Sequence, residues 1–170
     1  MDYALVLFRL LHILGGVIWV GMVFFTVIFL GPAVQDAGPE GGKVMGALQK
    51  RGVMNVIPAV ALATVLSGLW LYWRASLGFD PAWVHSRLGM TLSLGGFAAI
   101  VAYVIGLTVM RPSMLAAMRI MQSLGGAAEA ERAQGMAEAQ RLRTRGRKAG
   151  LAVLWLLLLS TAAMAVARYL

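Results

Sequence analysis

The chain has 170 residues, of which 60% are hydrophobic and 13% charged, and its mean hydropathy is +0.78. That is too apolar for an ordinary soluble domain of this size. The absence of cysteine excludes disulfides, Cys-ligated metals, iron–sulfur clusters and cysteine nucleophiles.

Four windows nearly free of charge account for the hydropathy: Leu10–Leu30, Met54–Trp73, Leu88–Met110 and Ala149–Ala167. A spanning helix needs about 20 mainly apolar residues. The windows predict an all-α integral membrane four-helix bundle, a single domain over residues 1–170, with helices over about 4–31, 53–74, 82–111 and 147–168. The first run is longer than the h-region of a cleaved signal, which is about 7–15 residues. It is expected to be a retained helix.

The first helix carries the stretch FRLLHILGGVIWVG, with His12 inside the span and Arg9 one turn before it. Gly15, Gly16 and Trp19 follow at +3, +4 and +7, on the face of His12. The loop after it, GPAVQDAGPEGGKVMGALQKRG, is glycine-rich and predicts a short interfacial helix around Lys43–Arg51. Helix 2 opens near Asn55 and Pro58, read as a cap and a first-turn proline. The loop RASLGFDPAWVHSR is short. Its Asp80-Pro81 predicts a helix start, so that helix 3 begins near Pro81 and includes His85, with Gly89 and Gly96 on the same stripe.

Pro112 is expected to end or kink helix 3. Gly125-Gly126 breaks a short amphipathic piece, and from Ala127 the residues favour a helix that runs on toward helix 4. This long helical loop carries the pairs Glu129–Arg132 and Glu138–Arg141 at i,i+3 spacing. Ser67, Ser93, Ser160 and Thr161 are expected to bond back to their own helices.

The basic residues set the expected orientation. Eleven of the 15 Lys and Arg fall in the first and third loops, and four, Arg9, Arg74, Arg87 and Arg168, on the other side. The positive-inside rule puts both loops in the cytoplasm and both termini outside, in a bacterial-type inner (cytoplasmic) membrane. Tyr3, Trp70, Tyr72, Trp73, Trp83 and Tyr169 then form an outer aromatic belt. The net charge of +8 is thereby a topology signal and an attraction to the anionic lipid bilayer, not a nucleic-acid footprint.

His12 and His85 are the only histidines. Each lies beside glycines, where a flat macrocycle has room. Neutral imidazole is a good axial ligand for haem iron, and Arg9 and Arg87 suit propionates. The bland alternatives are a structural hydrogen bond for His12 and a headgroup-zone role for His85. Counting residues inward from Arg9 and outward to His85 gives an axial offset of about 7–8 Å, awkward for a shared iron. Met110, Met114, Met118 and Met121 follow helical spacing; thioethers suit Cu(I), though such a stripe also serves as a flexible apolar face. No carboxylate lies within a span, so no acid–base pair or hydrolytic triad can be assembled.

FRLLHILGGVIW resembles the first-helix pattern of the HemJ-type protoporphyrinogen oxidases, F-[KR]-x-x-H-[LI]-x-G-x-V-x-W. WVHSRL resembles their third-helix W-L-H-x-K-L. RGVMNVIPAVALATVLSGLWL is similar to their second helix, and the ending MAVARYL is closer to the copper-resistance D-like membrane proteins of the wider superfamily. The resemblance covers about residues 5–110. It implies a small haem b membrane protein with His12 as ligand, and makes Arg87 the counterpart of the family's functional lysine. The expected function is a membrane-embedded haem b-binding protein with an electron-transfer or oxidase-like role, related to porphyrin oxidation, and served by a redox partner or porphyrin substrate. One or more haems fit this reading. The alternatives are a copper-handling protein, with copper on His12, His85 and Met22 or Met90, and a cofactor-free assembly protein. Small residues in the spans leave a homodimer open.

Overall fold

The computed structural model describes residues 2–126 and 128–170, with Pro39 described by its backbone alone. Ala127, where the sequence reading starts its cytoplasmic helix, lies outside the described residues. The described chain is helical, without strands. Helix α1 (Tyr3–Phe25) passes through a π-turn (Thr26–Leu30) into α2 (Gly31–Asp36). Helices α3 (Pro39–Lys50), α4 (Val53–Ala75) and α5 (Pro81–Val84) follow. Helix α6 (Arg87–Ile105) passes through a second π-turn (Gly106–Met110) into α7 (Arg111–Ser123), and α8 covers Glu129–Val166.

Among the described residues four continuous helices are long and apolar enough to cross a membrane: Tyr3–Asp36, Val53–Ala75, Arg87–Gly126 and Glu129–Tyr169. Their outward faces are apolar as well. Val17, Phe97 and Trp155 are 67%, 67% and 69% exposed, which suits a surface solvated by lipid tails rather than water. The buried centre is small: Trp19, Val23 and Val27 meet Ala61, Ala102 and the α8 residues Val153, Leu154 and Leu157.

Both π-turns precede an X-Pro pair, Gly31-Pro32 and Arg111-Pro112. A proline ring collides with the carbonyl four residues back and has no N–H to offer it. The widened turn makes room: the Gly31 N–H reaches Thr26 O and the Arg111 N–H reaches Gly106 O, five residues back in each case. Of the two outcomes expected at Pro112, an end or a kink, the end does not occur: the helix is interrupted only by the π-turn. The helix runs on to Ser123.

Pro58 is solved differently. Helix α4 starts after Gly52, whose φ of +78° suits a residue without Cβ. That places Pro58 in the second turn, where it leaves the Met54 carbonyl without its helical donor. Arg111 takes over: its Nε donates to Met54 O at 3.1 Å and its Nη2 to Asn55 Oδ1 at 2.9 Å. Asn55 is thus an anchor for Arg111 rather than a cap.

Two further boundaries differ from expectation. Helix 3 starts at Arg87, not near 82. Asp80 does cap a turn, accepting from Trp83 N at 3.0 Å, but α5 ends at Val84 and Ser86 caps α6 by accepting from Gly89 N at 3.1 Å. Helix 4 starts at Glu129 rather than about 147, because the loop helix and the span form one rod of 38 residues, about 57 Å long. It packs on α6 and α7 through small residues. A Cβ on Gly146 of α8 would stand 3.3 Å from Met114 Cγ of α7, and one on Gly95 of α6 3.2 Å from Ser160 O of α8.

Candidate functional site

Helix α1 packs chiefly on α4, and His12 lies in that seam. Its Nδ1 is 2.8 Å from Thr64 O. A backbone carbonyl only accepts, so Nδ1 carries the proton. In the neutral imidazole Nε2 is then the lone-pair nitrogen, and it has no hydrogen-bond partner among the described residues. The ring rests against Gly68, where an added Cβ would come within 2.7 Å of Cε1. One turn outward, Phe8 stacks on Trp70 with ring centroids 4.3 Å apart.

The seam closes because its polar groups are satisfied within it. Thr64 Oγ1 donates to Val60 O at 2.9 Å, and Ser67 Oγ donates to Ala63 O at 2.7 Å and Thr64 O at 3.0 Å. Gly15 gives Thr64 its place: a Cβ at Gly15 would collide with Oγ1. Gly16 also faces Thr64, and Trp19 is buried edge-on to Tyr103 at 6.4 Å. The bare strip beside His12 is therefore filled by α4. It is not the bed for a flat macrocycle that the +3, +4 pattern implied.

His85 is elsewhere. It is exposed, at the C-cap of α5, and its Nδ1 donates to Pro81 O in its own turn at 2.7 Å. Gly89 does not share a helical stripe with it. Gly89 is buried because α5 folds back over α6, where a Cβ would collide with Trp83 O. Tyr72 ties this region to α4: its hydroxyl donates to Ser93 Oγ at 2.7 Å, since Ser93 itself donates to Gly89 O at 2.8 Å. Ser93 lies six residues inward of Arg87, about 9 Å along the axis, so His85 sits well outside the level of His12. Arg9 and Arg87 are exposed and make no side-chain hydrogen bond or ion pair among the described residues. Beyond them, Asp2 caps α1 by accepting from Leu5 N at 3.1 Å and pairs with Arg74 at 3.0 Å. The Leu5 N–H and the Arg74 guanidinium hold its carboxyl below the usual carboxylate range.

The donor set suits haem in part. A histidine whose Nδ1–H is held by a carbonyl is fixed in tautomer and ring orientation, as metal-ligating histidines are. Arg9 is a free guanidinium three residues outward on the same helix. The glycine bed is not available, and His85 is not brought to His12. No cluster of three or more His, Asp or Glu able to hold a metal ion occurs among the described residues.

The opposite end of the bundle holds a second feature, which the sequence reading missed. A cavity of about 450 Å³ lies between the two π-turns and α8. A smaller one of about 100 Å³ adjoins it, sharing Thr26, Leu30, Met45, Met110 and Met114. Met118 and Met121 continue the wall of the larger. Met22 lines the smaller cavity but His12 does not, and Met90 is exposed. Copper on His12, His85 and either methionine therefore has no assembled site.

No protein-family model matches this chain, and no curated protein or solved structure matches it.

Proposed function

We propose that this chain is a membrane-embedded haem b-binding protein with an electron-transfer or oxidase-like role, and that His12 would hold the iron through Nε2. The observation that carries it is the Nδ1–H bond from His12 to Thr64 O, 2.8 Å long, within an apolar seam. Holding that proton fixes the tautomer and leaves the lone pair on Nε2. An ionisable side chain inside a span is costly and marks function by default. Bound haem would supply one-electron chemistry, with its potential tuned by ligand and burial. Arg9 would hold one propionate and Arg87, at the His85 end, another. His85 would gate access rather than share the iron.

The resemblance of FRLLHILGGVIW to the HemJ-type first helix supports the same ligand. The proposal stops short of porphyrin oxidation, because Arg87 stands where that family has a lysine, and a guanidinium does not change protonation state. The orientation that goes with the reading has both termini outside and the α2–α3 and α7–α8 segments in the cytoplasm of a bacterial-type inner membrane, as the basic residues require.

The test is an absorption spectrum of the detergent-purified protein, oxidised and dithionite-reduced, with a pyridine haemochrome assay. Wild type and His85→Ala are expected to carry haem b and His12→Ala to carry none. Full haem content in His12→Ala would reject the assignment, and a colourless wild type that stays colourless after haem is added would reject haem altogether.

Copper handling is the second reading. It is favoured by the convergence of Met45, Met110, Met114, Met118 and Met121 on one cavity, since thioethers suit Cu(I). Stoichiometric copper after purification without added metal would raise it above haem.

A further inference from the structure

The methionine-walled cavity has a chemical asymmetry. Its wall is apolar, but Lys43, Arg143 and Arg147 also line it, and no acidic residue does. Arg143 and Arg147 are one turn apart on α8, so their side chains leave the same face. Neither has an acidic partner among the described residues. Lys43 does, pairing with Glu40 at 2.7 Å. A cation such as Cu(I) entering here would meet three like charges. An anion with an apolar tail would meet complementary surface at both ends.

We propose that this cavity seats one anionic phospholipid of the surrounding bilayer, its acyl chain against Met110, Met114 and Met118 and its phosphate between Arg143 and Arg147. The volume, about 450 Å³, is that of a small-molecule site. The wall is adaptable, because methionine is unbranched and fills irregular space around a flexible chain. Paired guanidiniums on one helix face match the oxygens of a phosphate, and basic pockets between membrane helices hold anionic headgroups. The seat is structural as well: the chain would lie between the Thr26–Leu30 and Gly106–Met110 π-turns, both of which line the cavity.

The full-length protein in detergent, delipidated and titrated with phosphatidylglycerol or phosphatidylcholine of identical chains, tests this by native mass spectrometry. One phosphatidylglycerol is expected to bind at least about tenfold more tightly than phosphatidylcholine. The double variant Arg143→Gln/Arg147→Gln should bring the two lipids level. Met118→Trp, which fills the cavity without touching the charges, should weaken both, and circular dichroism should show both variants still helical. Equal binding of the two lipids to wild type would overturn the proposal. So would phosphatidylglycerol binding that neither variant changes, displacement of the lipid by millimolar inorganic phosphate, or displacement by one equivalent of Cu(I).

Discussion

At the α1–α4 seam, Gly15 and Gly68 admit Thr64 and the His12 ring, and the hydroxyls of Thr64 and Ser67 bond to their own helix. Where α1–α2 meets α7 and α8, methionines line a cavity of about 450 Å³ and the Arg143 and Arg147 guanidiniums have no acidic partner among the described residues. The two regions share the first helix. Glycine and a short hydroxyl side chain let backbones approach and leave one oriented nitrogen. At the other end a proline in each of two helices is answered by a π-turn, and a volume lies beside the two turns. Small residues make a site by exclusion, and helix irregularities make one by vacancy.

The comparison can be broken most sharply at Gly68. Gly68→Ala puts a methyl within 2.7 Å of His12 Cε1, and the ring is tethered by its bond to Thr64. A loss of about 1–3 kcal/mol in unfolding free energy is expected, as for overpacking, together with a shift in any Soret band. Gly96→Ala is the control, since nothing lies within 4 Å of its Cβ position; thermal unfolding in detergent should show no loss there. If both variants melted alike, the seam would not be the close-packed element described.

Arg111→Ala removes the donor that replaces the missing Pro58 N–H. It leaves Met54 O and Asn55 Oδ1 without their partner, and a loss of about 1.5–3 kcal/mol is expected from bonds to a charged donor. Arg111→Lys should recover only part, because an ammonium cannot reproduce the two-point geometry. Hydrogen exchange at the start of α4 would localise the effect to the cavity end. Tyr72→Phe is milder: one hydroxyl bond to Ser93 is lost, about 1 kcal/mol, and the α5–α6 corner should loosen while His12 stays in place.

The smallest expected effect is at Asp2. Its folded pKa lies below the ordinary value of 3.8, through the Leu5 N–H and Arg74. A lowered folded pKa means that the stabilisation is fully present above that ordinary value and is lost as pH falls through the folded one. Asp2→Asn should flatten the acid limb of the stability profile slightly. Salt should shrink the difference, because the pair is exposed.

The four spans were legible because a charge-free run of about 20 residues has the length of a bilayer-crossing helix and far exceeds what a small water-soluble core can bury along one helix. His12 was legible because an imidazole in such a window is rare. Its partner was not: Thr64 lies 52 residues away, and a threonine in a span reads as a local back-bond, which it also makes. The helix 3 start was misplaced because Asp80-Pro81 and Ser86 both signal a cap, and the fold uses both in succession. Of the four expected back-bonds three form, those of Ser67, Ser93 and Thr161 to the carbonyls four residues before them, while Ser160 makes none among the described residues. The cavity was hidden because its wall joins residues near 30, 45, 115 and 145, and because the helical spacing of Met110, Met114, Met118 and Met121 marks one face of a helix without saying what lies against it.

Each π-turn contains one residue more than the α-turn it replaces. At about 100° and 1.5 Å per residue, absorbing that residue would swing everything downstream through more than a quarter of a revolution. In the first helix this re-aims Val34 and Gln35, and in the third Met114 and Met118, all of them cavity wall. The upstream turns, with His12 and Ser93, would keep their bearing. The two helices thus carry swivels: re-winding residues 26–30 or 106–110 as α-turns would turn one half of a helix without disturbing the other, whereas deleting one residue there would remove the bulge and keep both halves in register.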